Sequence, residues 1–307
     1  MNILISGASG FMGSNLVAYL AAQQPSATIK TLGREHADLC WESLSDESLS
    51  GIDAIIHLAG KAHDTSNSSE ASEYFKVNYE LTRKLYDHFL NSNAQTFIYM
   101  SSVKAAADTV NGVLTEEATP DPRTPYGQSK LQAEQYLLQR IPQGRKVYIL
   151  RPCMVHGPGN KGNLNLLYKV ACKGVPWPLA AFSNRRSFLS IDNLCFVVQR
   201  LLSENISSGV YHLADDEPLS TNTLIDIMAV ADGRKARLWR IPAALIRLLA
   251  RTGDVLKLPI NSERLKKLTE SYVVSNQKIK KALHLERLPL SAREGLTITI
   301  KSFRQAN

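Results

Sequence analysis

Along the first 160 positions, short apolar runs alternate with longer stretches in which apolar residues recur at helical spacing. Asn2–Ser6 is the first run, with Ile3, Leu4 and Ile5 uninterrupted; Ala54–Leu58, Thr96–Met100 and Val147–Leu150 are of the same kind, and Ala27–Leu32 reads as a further strand. An apolar run without polar alternation suits a strand covered on both faces. Between these runs, Phe11–Gln23 gathers Leu16, Val17 and Leu20 on one helical face, and Glu70–Leu90 repeats Phe75, Leu81, Leu85 and Phe89. Tyr126–Arg140 reads as a third helix, with Pro125 as its start signal. This β-α-β alternation predicts an α/β fold, a doubly wound parallel sheet with helices on both faces. Ligands of such sheets bind at the carboxyl ends of the strands.

After Arg151 the pattern loosens. Gly157-Pro158-Gly159 is a loop, Leu164–Lys173 a helix, Ser187–Ile191 and Val210–Leu213 further strands, and short helices and loops dominate from Ser220 onward. The chain is therefore expected to divide into a sheet domain, residues 1–160 with about 187–213, and a smaller, mostly helical C-terminal lobe over 161–186 and 214–307.

Composition narrows the class. With 307 residues, 44% hydrophobic and 21% charged, the chain has the balance of an ordinary soluble protein. The N-terminus shows no basic region followed by a long apolar stretch, and no segment approaches the roughly 20 apolar residues of a membrane span. A cytoplasmic location is expected. Cys40, Cys153, Cys172 and Cys195 are far apart, which favours reduced core thiols over a zinc site or a disulfide framework. The net charge of +8 is unevenly spread: residues 231–307 carry 17 basic and 6 acidic side chains, a net of +11. Such a segment can draw in a dianionic nucleotide-sugar, lean on an anionic membrane or bind nucleic acid, although solvated helix faces account for much of it. Nucleic-acid binding is not expected. Ile241–Ala250 mixes apolar residues with Arg247. It suits a helix packed on its own domain better than an interfacial one, so a role peripheral to the inner membrane is the lesser alternative.

Two motifs carry chemistry. Gly7-Ala8-Ser9-Gly10-Phe11-Met12-Gly13 is a GxxGxxG turn between the first strand and helix. Its glycines allow a tight turn, a close backbone approach to a pyrophosphate and close helix–strand packing, and the helix N-terminus offers free N–H groups to the phosphates. This is the Rossmann signature for a nicotinamide dinucleotide. At the end of the second strand stand Leu32-Gly33-Arg34, with no acidic residue for a ribose 2′-hydroxyl and with Arg34 placed to pair with a 2′-phosphate. NADP(H) is favoured, NAD(H) is the alternative, and Glu35 is a weaker ribose contact. The second motif is YxxxK, Tyr126 to Lys130, whose i, i+4 spacing puts both side chains on one helix face. A nearby ammonium is expected to lower the phenol's pKa from about 10. Ser101-Ser102, after the Thr96–Met100 strand, offers a hydroxyl to hold a carbonyl or alkoxide oxygen beside the tyrosine.

Taken in order, the glycine turn, Asp38-Leu39, His57-Leu58-Ala59-Gly60, Asn78, Ser101-Ser102, Tyr126–Lys130, Arg151-Pro152 and Gly157-Pro158-Gly159 resemble an extended short-chain dehydrogenase/reductase of the NAD-dependent epimerase/dehydratase family. The resemblance covers the N-terminal two-thirds. It implies Ser102, Tyr126 and Lys130 as the catalytic set. It implies that Gly7, Ser9, Gly10, Phe11, Met12 and Gly13 seat the pyrophosphate, and that Asp38 and Leu39 bracket adenine. Leu58, Ala59, Gly60 and Asn78 would line the cofactor, and Pro152 would approach the nicotinamide. Ala105-Ala106-Ala107 replaces the family's usual Val-Tyr-Gly. For a sugar-nucleotide, the resemblance implies Lys104, Asn163, Arg185 as diphosphate clamp, and a second arginine. Arg264 is preferred for the last to Arg251, which stands in a superficial RxGD match.

The Pro158–Asn163 loop and the Asn184–Phe188 segment resemble the branch handling UDP-N-acetylhexosamines in surface-polysaccharide synthesis. That branch contains UDP-sugar 4-epimerases and UDP-4-keto-sugar 4-reductases. Arg34 favours reduction of a UDP-4-keto-6-deoxy-N-acetylhexosamine. A 4-epimerase with tightly bound NAD is the first alternative, and a non-enzymatic dinucleotide-binding sensor the second. Family analogy further implies a homodimer.

Overall fold

The computed structural model describes residues 1–61, 70–160, 163–172, 174–256 and 261–305. The chain opens with β1 (Asn2–Ser6), α1 (Phe11–Gln23), β2 (Thr28–Gly33), the two-residue β3 (Leu39–Cys40) and β4 (Ala54–His57). A long helix follows, formed by α2 (Ala71–Phe75), a π-helical stretch (Lys76–Glu80) and α3 (Leu81–Asn91). Then come β5 (Thr96–Met100), β6 (Val113–Leu114), α4 (Pro125–Leu138), β7 (Lys146–Pro152), β8 (Met154–His156) and α5 (Asn163–Ala171). The remainder is β9 (Phe188–Ser190), α6 (Ile191–Ser203), β10 (Gly209–Leu213), α7 (Thr221–Ala231), α8 (Ala243–Val255), α9 (Ser262–Thr269), β11 (Val273–Val274), α10 (Gln277–Ala282) and α11 (Ala292–Gln305).

Seven strands form one parallel sheet in the order β3-β2-β1-β4-β5-β7-β10. The central strands β1, β4 and β5 read as apolar runs because successive residues alternate between two covered faces, whereas β2, with Thr28 and Lys30 exposed, does not. Ile3, Ile5, Ile56, Ile98 and Leu150 pack into a core with Leu16 and Leu20 of α1 and with Leu194 and Val198 of α6. Leu4, Ile55, Phe97 and Ile149 point the other way, against Leu85, Tyr86 and Phe89 of α3 and Leu137 of α4. Strand order reverses between β1 and β4, which places the glycine turn at the switch point where ligands of open α/β sheets bind.

A third core joins Leu164 and Tyr168 of α5, Leu224 and Met228 of α7, Ile246 and Ala250 of α8, Leu265 of α9, and Leu296 and Ile300 of α11. Ile279 and Leu283, although late in the chain, pack in the first core beside α6. Ser187–Ile191 differs from its expected role. Its strand, β9, lies outside the main sheet and pairs with β8, and α6 begins at once because the Ser190 hydroxyl accepts from the Asp192 N–H and caps it.

Candidate active site

At the carboxyl end of β1 the chain turns with Gly7 at φ +73°, a conformation open mainly to glycine. A Cβ on Gly7 would lie 2.7 Å from the Ala59 nitrogen, and one on Gly13 would lie 2.2 Å from the Gly7 oxygen. The turn and α1 are therefore packed backbone to backbone. Gly10 caps α1 in an extended conformation, no side chain satisfies the free N–H groups, and the first turn holds no acidic residue. An uncapped helix N-terminus with a glycine lip fits a dianionic pyrophosphate. Ser9 and Gly10 are exposed on that lip, with Phe11 and Met12 half-buried behind them.

The neighbouring strand ends complete the cradle. Arg34 is exposed immediately beyond β2. Asp38 is tied back to the same strand: its carboxylate accepts from the Thr31 N–H at 2.7 Å and from the Thr31 hydroxyl at 2.8 Å, which holds its pKa below the usual value. Leu39 is half-buried against the core beside it. After β4, the Ala59 N–H reaches the Ser6 hydroxyl at 3.3 Å, and Leu58 is buried. Asn78, fully buried in the π-helical stretch, accepts from the Lys61 N–H at 2.8 Å and donates to the Ser129 hydroxyl at 3.1 Å. A Cβ on Gly60 would lie 3.0 Å from the Asn78 side-chain oxygen and 3.1 Å from the Lys130 ammonium. Glycine there lets these groups converge. Pro152 ends β7, buried.

Tyr126 and Lys130 stand one turn apart on α4. That helix starts where it does because Pro125 takes its first turn and the Thr124 hydroxyl accepts from the Gly127 N–H at 3.2 Å. Ser102, after β5, shares a hydrogen bond with the Tyr126 phenol, and the Tyr74 ring stands edge-on to the Tyr126 ring at 6.1 Å. The Lys130 ammonium donates to the Met100 carbonyl at 2.8 Å and lies 4.9 Å from the Tyr99 ring centre. Ser102, Tyr126, Lys130, Asn78 and Gly60 are thus brought to one place at the sheet's carboxyl edge.

One electrostatic expectation is corrected. Tyr126 has its pKa raised, because burial outweighs the hydrogen bond from Ser102 and the Lys130 charge is directed at the Met100 carbonyl. Burial also lowers Lys130 to about 8, with Glu134 acting in the opposite direction. Glu134 is a residue the sequence reading passed over. It is fully buried, forms a two-pronged ion pair with Arg151 (2.9 and 2.5 Å) and accepts from the Ser101 hydroxyl. Its signal was present: Tyr126, Lys130 and Glu134 recur every fourth residue on one face. Removing one partner of a buried, hydrogen-bonded pair of this kind costs about 3–5 kcal/mol.

The expected substrate residues are less tightly gathered. The Lys104 ammonium donates to the Asp108 carbonyl at 2.7 Å and stands 4.4 Å from the Tyr272 ring centre, with its pKa lowered by burial. Arg185 has an exposed side chain, and its N–H donates to the Ser271 hydroxyl at 3.1 Å. Arg186 is instead the half-buried guanidinium whose charge acts on both Lys104 and Cys153. Asn163 begins α5, and its side chain lies outside the described residues. Arg264 is exposed on α9 and lines a cavity of about 920 Å³ with Trp177 and Leu179, whereas Arg251 lines another of about 520 Å³ with Lys266. All four cysteines are free thiols, and among the described residues no group of His, Cys, Asp and Glu is placed to hold a metal ion.

A parallel sheet with an uncapped glycine turn at its switch point and a Ser–Tyr–Lys set beside it defines a dinucleotide-dependent short-chain dehydrogenase/reductase. The sequence profile of the NAD dependent epimerase/dehydratase family matches residues 3–214, and the chain belongs to that family, an extended branch of the class. It is 27% identical to UDP-glucose 4-epimerase of Vibrio cholerae, over 100% of this chain and 96% of that protein. It is 29% identical to GDP-6-deoxy-D-mannose reductase of Pseudomonas aeruginosa, over 74% of this chain and 79% of the relative. Among solved structures, RMD from Pseudomonas aeruginosa complexed with NADPH shares the fold, with a TM-score of 0.73 at 22% identity over 100% and 99% of the two chains.

Proposed function

We propose that the protein transfers a hydride at C4 of a UDP-sugar, reducing a UDP-4-keto-6-deoxy-N-acetylhexosamine with NADP(H). The observation that carries the reductive direction is Arg34, exposed where β2 ends and free of any acidic neighbour at Leu32 or Gly33. A guanidinium there pairs with a 2′-phosphate. A bound nicotinamide would supply the hydride. The chain's own residues do the rest: Ser102 orients the C4 oxygen, Tyr126 protonates it, and Lys130, charged below pH about 8, steadies the ribose side of the cradle. Arg186 joins Arg185 and Arg264 as a candidate for the diphosphate. A second reading, 4-epimerisation with retained NAD, is favoured by the likeness to the Vibrio epimerase along the whole chain.

The test is a cofactor-resolved assay on purified protein. Steady NADPH oxidation with a UDP-4-keto-6-deoxy-N-acetylhexosamine is expected. Absence of oxidation there, with conversion of UDP-N-acetylglucosamine to its C4 epimer without added cofactor, overturns the reductive reading in favour of the second.

A further inference from the structure

The expectation that the Ile241–Ala250 helix buries its apolar residues on its own domain is only partly met. In α8 the buried stripe is narrow: Ile246, Ala250 and Gly253. Leu245, Leu248, Leu249 and Leu256 are 48%, 60%, 55% and 62% exposed. At about 100° per residue, Leu245, Leu249 and Leu256 fall within about 40° of one another, with Leu248 alongside. They form a second apolar stripe adjoining the buried one. Arg247 and Arg251, both exposed, occupy the opposite flank. The segment leading into the helix, Arg237-Leu238-Trp239-Arg240, is exposed throughout, with Trp239 57% exposed. Bridges from Leu238 to Trp177 and from Arg240 to Leu179 fix it to the second lobe.

Leucines with arginines along one flank, and a tryptophan between arginines in the lead-in, have the distribution of an interfacial helix, the Arg247 guanidinium standing 5.7 Å from the Phe182 ring centre. Charge selects the occupant. Asp232 pairs with Arg234, and Asp254, whose carboxylate accepts from the Ser262 N–H and hydroxyl, keeps one negative charge. Against that one charge stand four arginines, Arg237 and Arg240 in the lead-in and Arg247 and Arg251 on the helix flank, so the surface is net positive. A second copy docking stripe to stripe would bring these like charges together, whereas a bilayer with anionic headgroups neutralises them. We propose that α8 and the Arg237–Arg240 segment form a docking face for an anionic lipid bilayer, the leucines entering the interface and the arginines contacting the headgroups.

The test is flotation of the full chain with vesicles. Wild-type protein is expected to float with mixed phosphatidylcholine–phosphatidylglycerol vesicles, to stay behind with pure phosphatidylcholine, and to release at molar salt. Replacing Leu245, Leu248 and Leu249 by serine, all on the exposed stripe, is expected to lower partitioning at least about tenfold with the melting temperature and dinucleotide affinity unchanged. Arg247→Gln with Arg251→Gln is expected to lower it about 30-fold, at roughly one headgroup contact per arginine. Failure of the wild type to float with the anionic vesicles overturns the proposal, as does a leucine variant that floats like wild type. A dimer in solution that the leucine variant dissociates, with no vesicle binding, also overturns it and assigns the face to a second copy.

Discussion

Two alanine substitutions three residues apart in the same turn are expected to fail in different ways. At Gly13 an added Cβ lies 2.2 Å from the Gly7 oxygen and 2.6 Å from the Ala8 Cα, where ordinary contacts begin at 3.4 Å. Both obstacles are backbone, so α1 and the turn must separate by about 1 Å, an overpacking that costs about 1–3 kcal/mol. For a chain of this size that lowers the melting temperature by several degrees, on the order of 2–4 °C per kcal/mol. At Gly10 the Cβ meets only the Gly7 oxygen, at 3.3 Å, and φ −76° with ψ 170° is open to alanine. Gly10→Ala should therefore lose less than Gly13→Ala, about 0.5 kcal/mol for an alanine at the N-cap, or about 1–2 °C. It nevertheless puts a methyl group on the lip where the pyrophosphate must approach the α1 N–H groups, and a loss of about 1.4 kcal/mol there is a tenfold weaker dinucleotide. The assays are thermal denaturation and a calorimetric titration with NADPH and NADH. If Gly10→Ala binds both nucleotides as wild type does, the pyrophosphate does not lie on this turn. If Gly13→Ala melts unchanged, the backbone contact is not as described.

Three further outcomes follow from the site. Arg34→Ala should weaken NADP(H) about tenfold while leaving NAD(H) nearly unchanged, read by the same titration, and equal losses for both would remove Arg34 from the 2′-phosphate. Tyr126→Phe should lower kcat by about 10²–10⁴ with dinucleotide affinity retained, and near-wild-type turnover would exclude the phenol as the proton donor. His57 and His212 are buried with pKa values lowered to about 3 and about 4, so both stay neutral in the fold while the unfolded chain takes up protons below about 6.5. Stability is thus full above about 6.5 and is lost as pH falls toward the folded values. At pH about 5.5, one unit below the unfolded value, the loss is about 1.4 kcal/mol per histidine. Denaturant titrations showing no loss between pH about 7.5 and 5.5 would contradict this.

The sheet was legible because its strands are covered on both faces, so Ile3-Leu4-Ile5 and Ile55-Ile56 read as unbroken apolar runs. The glycine turn was legible because a close backbone approach leaves no choice of residue at Gly7 or Gly13. What escaped the sequence was direction. Periodicity could place Lys130 beside Tyr126 but not show how deeply the phenol is buried, and burial is what raises its pKa; nor could it show the Lys130 ammonium turned to the Met100 carbonyl. Of two adjacent arginines, Arg186 turns inward and Arg185 outward, a choice that periodicity does not fix in a loop. The helix Ile191–Ser203 was hidden because Ser190 both ends a strand and caps the helix, leaving no loop residues to mark the boundary. For α8 the expected packing on its own domain holds for Ile246 and Ala250 in the third core; composition could not show that a second apolar stripe stays exposed.

The proposed hydride transfer at C4 of a UDP-sugar by the Ser102–Tyr126–Lys130 set can be followed by isotope transfer. With NADPH deuterated at the transferable position of the nicotinamide and a UDP-4-keto-6-deoxy-N-acetylhexosamine, the product should carry deuterium at sugar C4, and Tyr126→Phe should suppress its formation. A purified chain that binds NADPH yet neither places deuterium at C4 nor inverts C4 of a UDP-N-acetylhexosamine would contradict the account.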